Sequence, residues 1–321
     1  MKILVTGGAG FIGSHIVLAL VKQPQNSIYN VDKLSYCSDL RNLKECNNLP
    51  NYQFIYGNLC DTTFVLDLFE KFKFDAVIHL AAESHVSNSF QAPIEVFENN
   101  VKSTQSLLEA CRKSPVRRFL YVSTDEVYGG DNTTPVSEDT ILRPTNPYSA
   151  SKAACEHIVN AYKTSFKIPV VVVRLNNVYG PHQHKEKVIP RFISALLHGD
   201  KCTIEGSGKQ KRNFLYIADA VDGVLTVFQK GVNGEVYNIG TEFNITIIDL
   251  VKLLLEQIQP KGRIVDFIEY IKDRPHNDLV YPIDSSKLQM LGWSVQVGWE
   301  QGIKQSIEWY QQQLEKINSK L

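Results

Sequence analysis

Apolar and polar positions fall in short blocks along the chain. Lys2–Thr6, Ser27–Val31, Gln53–Tyr56, Asp75–Leu80, Phe119–Val122 and Val170–Arg174 are brief runs dominated by Val, Ile, Leu and aromatic residues. Runs like these, with little in-out alternation, read as strands of a parallel sheet buried on both faces. Between them apolar residues return at helical spacing: Ile12, Ile16, Val17, Leu20 and Val21; then Val96, Val101, Leu107, Leu108 and Cys111 within 93–112; then Ala154, Ile158, Ala161, Tyr162 and Phe166. Strands alternating with helices predict an α/β fold built on a doubly wound parallel sheet. After residue 175 the order changes. Asn176–Pro181 reads as a loop, 189–197 as a helix and 202–206 as a strand. Trp299 opens a closing amphipathic helix with Ile303, Ile307, Tyr310, Leu314 and Ile317 in line.

The turn after the first strand is Gly7-Gly-Ala-Gly-Phe-Ile-Gly13. Glycines between a strand and a helix permit a tight turn and let backbone N–H groups close on a pyrophosphate at the helix N-terminus. Asp32 ends the second strand roughly 20 residues after that turn, where a carboxylate accepts from a ribose 2′-hydroxyl and repels a 2′-phosphate. This predicts NAD over NADP, with the neighbouring Lys33 weakening the discrimination. The fold is therefore expected to be of Rossmann type. Residues 1–175 form the NAD-binding domain and 214–242 return to it, while 176–213 and 243–321 build a smaller, interleaved α/β substrate lobe.

The fifth strand runs into Ser123, Thr124, Asp125 and Glu126. In open α/β sheets the crevice lies at the carboxyl ends of the strands. On a strand-like backbone two neighbouring carboxylates point to opposite sides, so one can serve as acid and the other as base. Tyr148 and Lys152 stand four apart and share a helix face. A phenol with a pKa near ~10 is a poor base at neutral pH, and a nearby ammonium favours the phenolate.

The 321 residues carry equal numbers of acidic and basic side chains. That balance speaks against a nucleic-acid partner, which calls for a basic surplus. The short basic run Lys209–Arg212 suits a diphosphate. Six cysteines without a Cys-x-x-Cys pair argue against zinc and disulfides and for a reducing compartment. His182 and His184 lack a third ligand at matching spacing, so no metal is expected, and His85 is read as a non-catalytic loop histidine. With no leader-like or membrane-spanning run, a cytoplasmic location is expected.

Taken together, Gly7–Gly13, Asp32, Thr124 and Tyr148-x-x-x-Lys152 resemble the extended short-chain dehydrogenase/reductase superfamily. The Thr124-Asp-Glu126 run, with Ala81–His85, Asn176–Pro181, Glu186-Lys187 and Arg274-Pro275, is most similar to its nucleotide-sugar 4,6-dehydratases. The resemblance spans essentially the whole chain. It implies an NAD-dependent lyase acting on dTDP-glucose or UDP-glucose on a route to rhamnose-type deoxysugars. It implies catalytic roles for Thr124, Asp125, Glu126, Tyr148 and Lys152. Cofactor contacts would come from Gly7, Gly10, Phe11, Ile12, Gly13, Asp32, Lys33, Asn58, Leu59, Leu80, Ala81, Ala82, Ser84, Asn99, Tyr148, Lys152 and Val178. Sugar and diphosphate contacts would come from Ser84, Thr124, Asn177, Glu186, Lys187, Arg212, Asn238 and Arg274.

The chain departs from the pattern at Asn58, Ser87 and Asn213, where the family favours Asp, and at His276-Asn277, which receive no role. By the same likeness a homodimer is expected, with the helices near 95–112 and 150–166 forming a four-helix bundle. A UDP-sugar 4-epimerase or decarboxylase, and a non-catalytic NAD or nucleotide-sugar sensor, are the competing readings. The adjacent Asp125 and Glu126 speak against the first, and the intact Tyr148 and Lys152 against the second.

Overall fold

The computed structural model describes residues 1–318. The first half alternates strand and helix: β1 (Lys2–Thr6), α1 (Phe11–Val21), β2 (Ser27–Asp32), β3 (Tyr52–Tyr56), α2 (Thr62–Phe72), β4 (Ala76–His79), α3 (Val86–Gln91), α4 (Pro93–Lys113), β5 (Arg118–Thr124), α5 (Pro147–Phe166) and β6 (Val170–Leu175). The second half comprises β7 (Asn177–Tyr179), α6 (Val188–His198), β8 (Cys202–Glu205), β9 (Lys211–Tyr216), α7 (Ile217–Lys230), β10 (Val236–Ile239), β11 (Asn244–Thr246), α8 (Ile247–Ile258), β12 (Ile268–Ile271), α9 (Ser286–Gln289) and α10 (Trp299–Asn318).

Seven strands pair in the order β10-β6-β5-β4-β1-β2-β3, and every pairing is parallel. The chain winds outward from β1 to β3, then restarts at β4 on the other side of β1. That reversal opens a crevice beyond the carboxyl ends of β1 and β4. Side-chain alternation splits the core into two layers. Ile3, Val5, Ile78, Leu120, Val122, Val171 and Val173 face one layer with α1 and α7. Leu4, Val77, Phe119, Tyr121, Val170 and Val172 face the other with α2, α4 and α5. Covering both faces is why β4, β5 and β6 read as continuous apolar runs.

Several details differ from the sequence expectation. Asp61 caps α2 by accepting from Phe64 N at 3.1 Å, and this helix follows the loop that carries Asn58 and Leu59. Asn177–Tyr179, read as loop, is a strand, because its edge pairs with β9. Of the 214–242 stretch, α7 and β10 lie on the large sheet. Phe214–Tyr216 instead belongs to the three-stranded sheet β11-β9-β7. A two-stranded parallel sheet, β12-β8, stands apart from both. In α10, Ile303 and Ile307 are buried, while the side chain of Ile317 lies outside the described residues.

Candidate active site

The groove across the top of the sheet begins at the glycine turn. Gly7 has φ +71°, and a Cβ there would sit 2.8 Å from the Ala81 backbone. A Cβ on Gly13 would sit 2.2 Å from Gly7 O. Only glycine lets the turn fold this tightly against β4 and open α1 directly. Asp32 is almost fully buried and held from three sides. Ala9 N donates to Oδ2 at 3.0 Å, and Leu34 N and Ser38 Oγ donate to Oδ1 at 2.8 and 3.0 Å. Lys33 turns aside to Glu83, at 2.9 Å, and to Asn99. Its charge is thus already matched by a carboxylate. All seventeen residues expected at the cofactor, from Gly7 to Val178, line this one groove. The cradle, its fixed carboxylate and the small Ala81 and Ala82 fit a dinucleotide.

The groove runs on to the end of β5. The sequence reading expected Asp125 and Glu126 to diverge as on a strand. They instead open a 3₁₀ turn, Asp125–Tyr128, capped by Thr124, whose hydroxyl accepts from Glu126 N at 3.3 Å. Both face the groove, and separate partners hold them. Thr124 Oγ1 donates to Asp125 Oδ1 at 3.2 Å, and Asn176 Nδ2 donates to Oδ2 at 2.6 Å. Asn146 Nδ2 donates to Glu126 Oε2 at 3.0 Å. Burial, and then the charge of Glu126, push Asp125 up to about 7. Burial also raises Glu126, opposed first by the Asn146 donor and then by the fields of Lys187 and Arg212. Burial thus favours the protonated form of both carboxyls, and the charge of Glu126 adds to that effect at Asp125, while an amide donor and two cations oppose it at Glu126.

Tyr148 and Lys152 sit in the first turns of α5. Pro147 starts that helix, and Asn146 caps it in a reciprocal pairing with Ser149. The fold does not show the expected effect of the lysine on the phenol. Lys152 Nζ donates to Val122 O at 2.7 Å and lies 4.4 Å from the Tyr121 ring centre. Burial lowers it to about 8. Burial and then the Glu126 charge hold Tyr148 well above the usual phenol range, against a hydrogen bond with Thr124. Protonated Tyr148 is therefore the resting form.

A second cavity adjoins the groove and shares Glu126, Asn177, Glu186 and Lys187 with it. Ser84 and Thr124 line the groove, while Arg212 and Arg274 line the second cavity. Lys187 Nζ donates to Ser84 O, and Arg212 Nη2 to Asn277 Oδ1. Arg274 gives its fork to Glu205 at 2.8 Å. Asn238 departs from the expectation. It lies within β10, fully buried, and lines neither cavity. Its amide accepts from Tyr128 Oη and donates to the carbonyls of Val136 and Asp284, so both of its N–H donors are spent inside the fold. Lys209 and Lys211 also lie off both cavities, which leaves Arg212 to carry the basic run's role. His276 bonds Asp278 at 3.0 Å, and Asp278 accepts from Thr145 and Tyr281.

The sequence reading missed three residues. Asn146 was visible only as a polar residue before a proline. Asn176 stood in a run in which Asn177 was chosen instead. Tyr281 lines the second cavity and gave no local signal.

A glycine cradle, a buried carboxylate at the next strand end, and a helix-borne Tyr148 and Lys152 beside a Thr-Asp-Glu strand end together define a dinucleotide-dependent enzyme of the short-chain dehydrogenase type. A family model described as GDP-mannose 4,6 dehydratase matches residues 4–306, and the chain belongs to that family. It is 50% identical over 313 residues to the dTDP-D-glucose 4,6-dehydratase of Mus musculus, covering 96% of this chain and 88% of the relative. Among solved structures, a dTDP-glucose 4,6-dehydratase from Streptomyces venezuelae with NAD bound superposes with a TM-score of 0.92. It is 34% identical, with 97% of each chain covered. A UDP-glucuronic acid 4-epimerase from Bacillus cereus superposes nearly as well, with a TM-score of 0.91, 33% identity, and coverage of 98% of this chain and 100% of the other. The fold is thus common to dehydratases and epimerases, and the choice between them rests on the site.

Proposed function

We infer that this protein is an NAD-dependent nucleoside-diphosphate-glucose 4,6-dehydratase, a hydro-lyase that makes the 4-keto-6-deoxy sugar nucleotide and water. The observation that carries this reading is the adjacent pair Asp125 and Glu126. Both face the groove, and Glu126 also lines the nucleotide cavity. An epimerase has no use for an acid and a base at a carbon next to the oxidised one. The names of the mouse and Streptomyces relatives agree with this choice.

NAD, when bound, accepts a hydride from sugar C4 and returns it at C6. The chain's own residues move the protons. Tyr148, once its phenol has released its own proton to solvent, takes the O4 proton as the C4 hydride leaves, and Thr124 holds that oxygen. Because burial resists a free phenolate, proton loss from O4 and hydride loss from C4 are coupled. The C4 ketone acidifies the hydrogen at C5, which Glu126 removes. Asp125, carrying its proton near neutral pH, protonates the departing C6 hydroxyl, and water leaves. Glu126, its proton exchanged with solvent, then returns a proton to C5 as C6 receives the hydride, and Tyr148 gives up to solvent the proton that Asp125 regains from it. Lys152 steadies the ribose side of the groove and the backbone of Val122. Asn177, Glu186, Lys187 and Arg212 hold the sugar and diphosphate.

The pyrimidine of the substrate is uracil or thymine. A single methyl discriminates by only about 1–3 kcal/mol, so we propose that both dTDP-glucose and UDP-glucose are turned over. The assembly is proposed to be a homodimer, because Ile94 and Phe97 of α4 and Phe166 of α5 expose apolar surface. Light scattering is expected to give twice the chain mass, and a monomer would remove this assignment. All six cysteines are unpaired, which suits the proposed cytoplasmic setting. No helix among the described residues is long and apolar enough to cross a membrane.

The test is incubation with each nucleotide-glucose and mass detection of the product. Loss of one water supports the dehydratase. An isomer of unchanged mass would establish the epimerase instead.

A further inference from the structure

The turn that carries Asp125 and Glu126 is four residues long, and a 3₁₀ turn that short makes few and poorly aligned hydrogen bonds of its own. Its near end is held at the groove by Thr124, Asn146 and Asn176. Its far end is Tyr128, which is buried and lines neither cavity. Arg174 Nη1 donates to Tyr128 Oη at 2.6 Å, and Tyr128 Oη donates to Asn238 Oδ1 at 2.8 Å. The Arg174 guanidinium also lies 4.6 Å from the Tyr128 ring centre. Burial pushes the Tyr128 phenol up to about 12, against the Arg174 charge, so it keeps the proton it donates. Arg174 stands in β6, just before the Asn176 that holds Asp125. Its Nε and Nη2 fork onto the Glu156 carboxylate, with Nη2 at 2.6 Å from Oε2, and both side chains are buried. Glu156 lies one turn beyond Lys152 on the same face of α5. Neither Arg174 nor Glu156 lines a cavity.

A buried ion pair is weak evidence for stability, because the desolvation of both charges offsets most of their attraction. This pair instead joins the two parts of the chemistry. On one side is the helix that bears Tyr148 and Lys152, and on the other is the turn that bears Asp125 and Glu126. We propose that Tyr128, braced by the Arg174–Glu156 pair, is a positioning residue for the elimination step, fixing the two carboxyls in register with the helix of Tyr148. It touches neither sugar nor cofactor and acts only through the turn. Oxidation at C4 depends on residues that α5 holds with its own cap. Elimination depends on the turn keeping its place against α5. Removing the Tyr128 hydroxyl loosens the far end of the turn and leaves α5 and the Arg174–Glu156 pair in place. This inference rests on the dehydratase reading of the site.

The experiment compares Tyr128→Phe with the unaltered chain, each with NAD bound, in a single turnover of dTDP-glucose and of UDP-glucose. The rate of cofactor reduction is expected to stay close to that of the parent. Elimination is expected to slow by at least about tenfold, since a misplacement of about 1 Å at a reacting group costs up to about 100-fold. Reduced cofactor and the 4-keto-glucose nucleotide therefore accumulate in the variant. A double-mutant cycle with Asp125→Asn separates positioning from a general brace of the fold. Because Tyr128 acts through the carboxyl turn, the double variant is slowed by less than the product of the two single losses. Arg174→Lys keeps a charge opposite Glu156 but lacks the fork that also reaches Tyr128, and it is expected to show the same imbalance between the two steps. Thermal midpoint and NAD affinity serve as controls for folding. If Tyr128→Phe is poorly folded, the lysine variant decides. Equal slowing of oxidation and elimination, unchanged elimination in a folded variant, or losses that simply multiply in the cycle would overturn the proposal. Failure of the unaltered chain to release water from either nucleotide-glucose would instead strike at the dehydratase reading.

Discussion

Replacing Asp125 by asparagine removes the proton donor to the C6 hydroxyl and keeps the shape of the side chain. The amide is close to isosteric with the carboxyl, and when turned it can still accept from Asn176 or Thr124. What is lost is the transferable proton. A positioned general acid is worth roughly 10²–10⁴-fold, or about 3–5 kcal/mol of barrier. Formation of 6-deoxy product is expected to fall by that factor. Cofactor reduction, followed by absorbance in a single turnover, should fall much less, because Tyr148 and Lys152 are untouched.

The pH dependence gives a second handle. Asp125 must be protonated to act, and its folded pKa is raised to about 7. The unaltered enzyme should therefore lose elimination activity as pH rises through 7, and the Asp125→Asn variant should lack that limb. Stability runs the same way. A raised carboxyl contributes stability below its unfolded pKa near 3.8 that is lost as pH climbs through 7. The full difference is on the order of 4 kcal/mol. At a pH of about 8, above the folded pKa, the Asp125→Asn variant should thus melt at least as high as the parent. Product formation within about fivefold of the parent, well short of the loss of a general acid, or an intact alkaline limb, would refute the assignment of Asp125 as the acid.

Asn146 does two jobs that substitution can separate. Asn146→Ala removes both the α5 cap and the Glu126 donor, costing about 0.5–2 kcal/mol of stability and lowering kcat. Asn146→Ser keeps a capping oxygen but loses the donor, so thermal melting should stay near the parent while kcat still falls. Equal kcat in the serine variant would show that Glu126 needs no such hold. Glu83→Gln frees Lys33 beside the ribose carboxylate, and the KM for NADP is expected to drop several-fold relative to that for NAD. Because that ion pair is partly exposed, its loss should change stability by less than about 1 kcal/mol.

The large sheet was legible because its strands are buried on both faces, which leaves an apolar run that no local context disguises. The cofactor groove was legible because its requirements are backbone requirements. A tight turn demands glycine, and a ribose calls for an acid at the next strand end; the other expected contacts came from the resemblance, and all seventeen line one groove. The nucleotide end was not. Asn238 stands at a strand end, as ligand residues do, but Tyr128, Val136 and Asp284, distant in sequence, consume its hydrogen bonds. Nothing local to Arg274 announces its partner, and only the fold reveals that it pairs with Glu205. The behaviour of Asp125 and Tyr148 likewise depends on burial, which no spacing records. The likeness to 4,6-dehydratases supplied the roles, and the packing supplied the hydrogen-bond partners that hold the residues in place.

The most direct test follows a deuterium placed at C4 of the nucleotide-glucose. The oxidation, elimination and reduction assigned to this site predict a product one water lighter, with the label moved to C6 and a solvent proton at C5. A label still at C4, with no water lost, would contradict the account and leave the chain an epimerase on a dehydratase-like site.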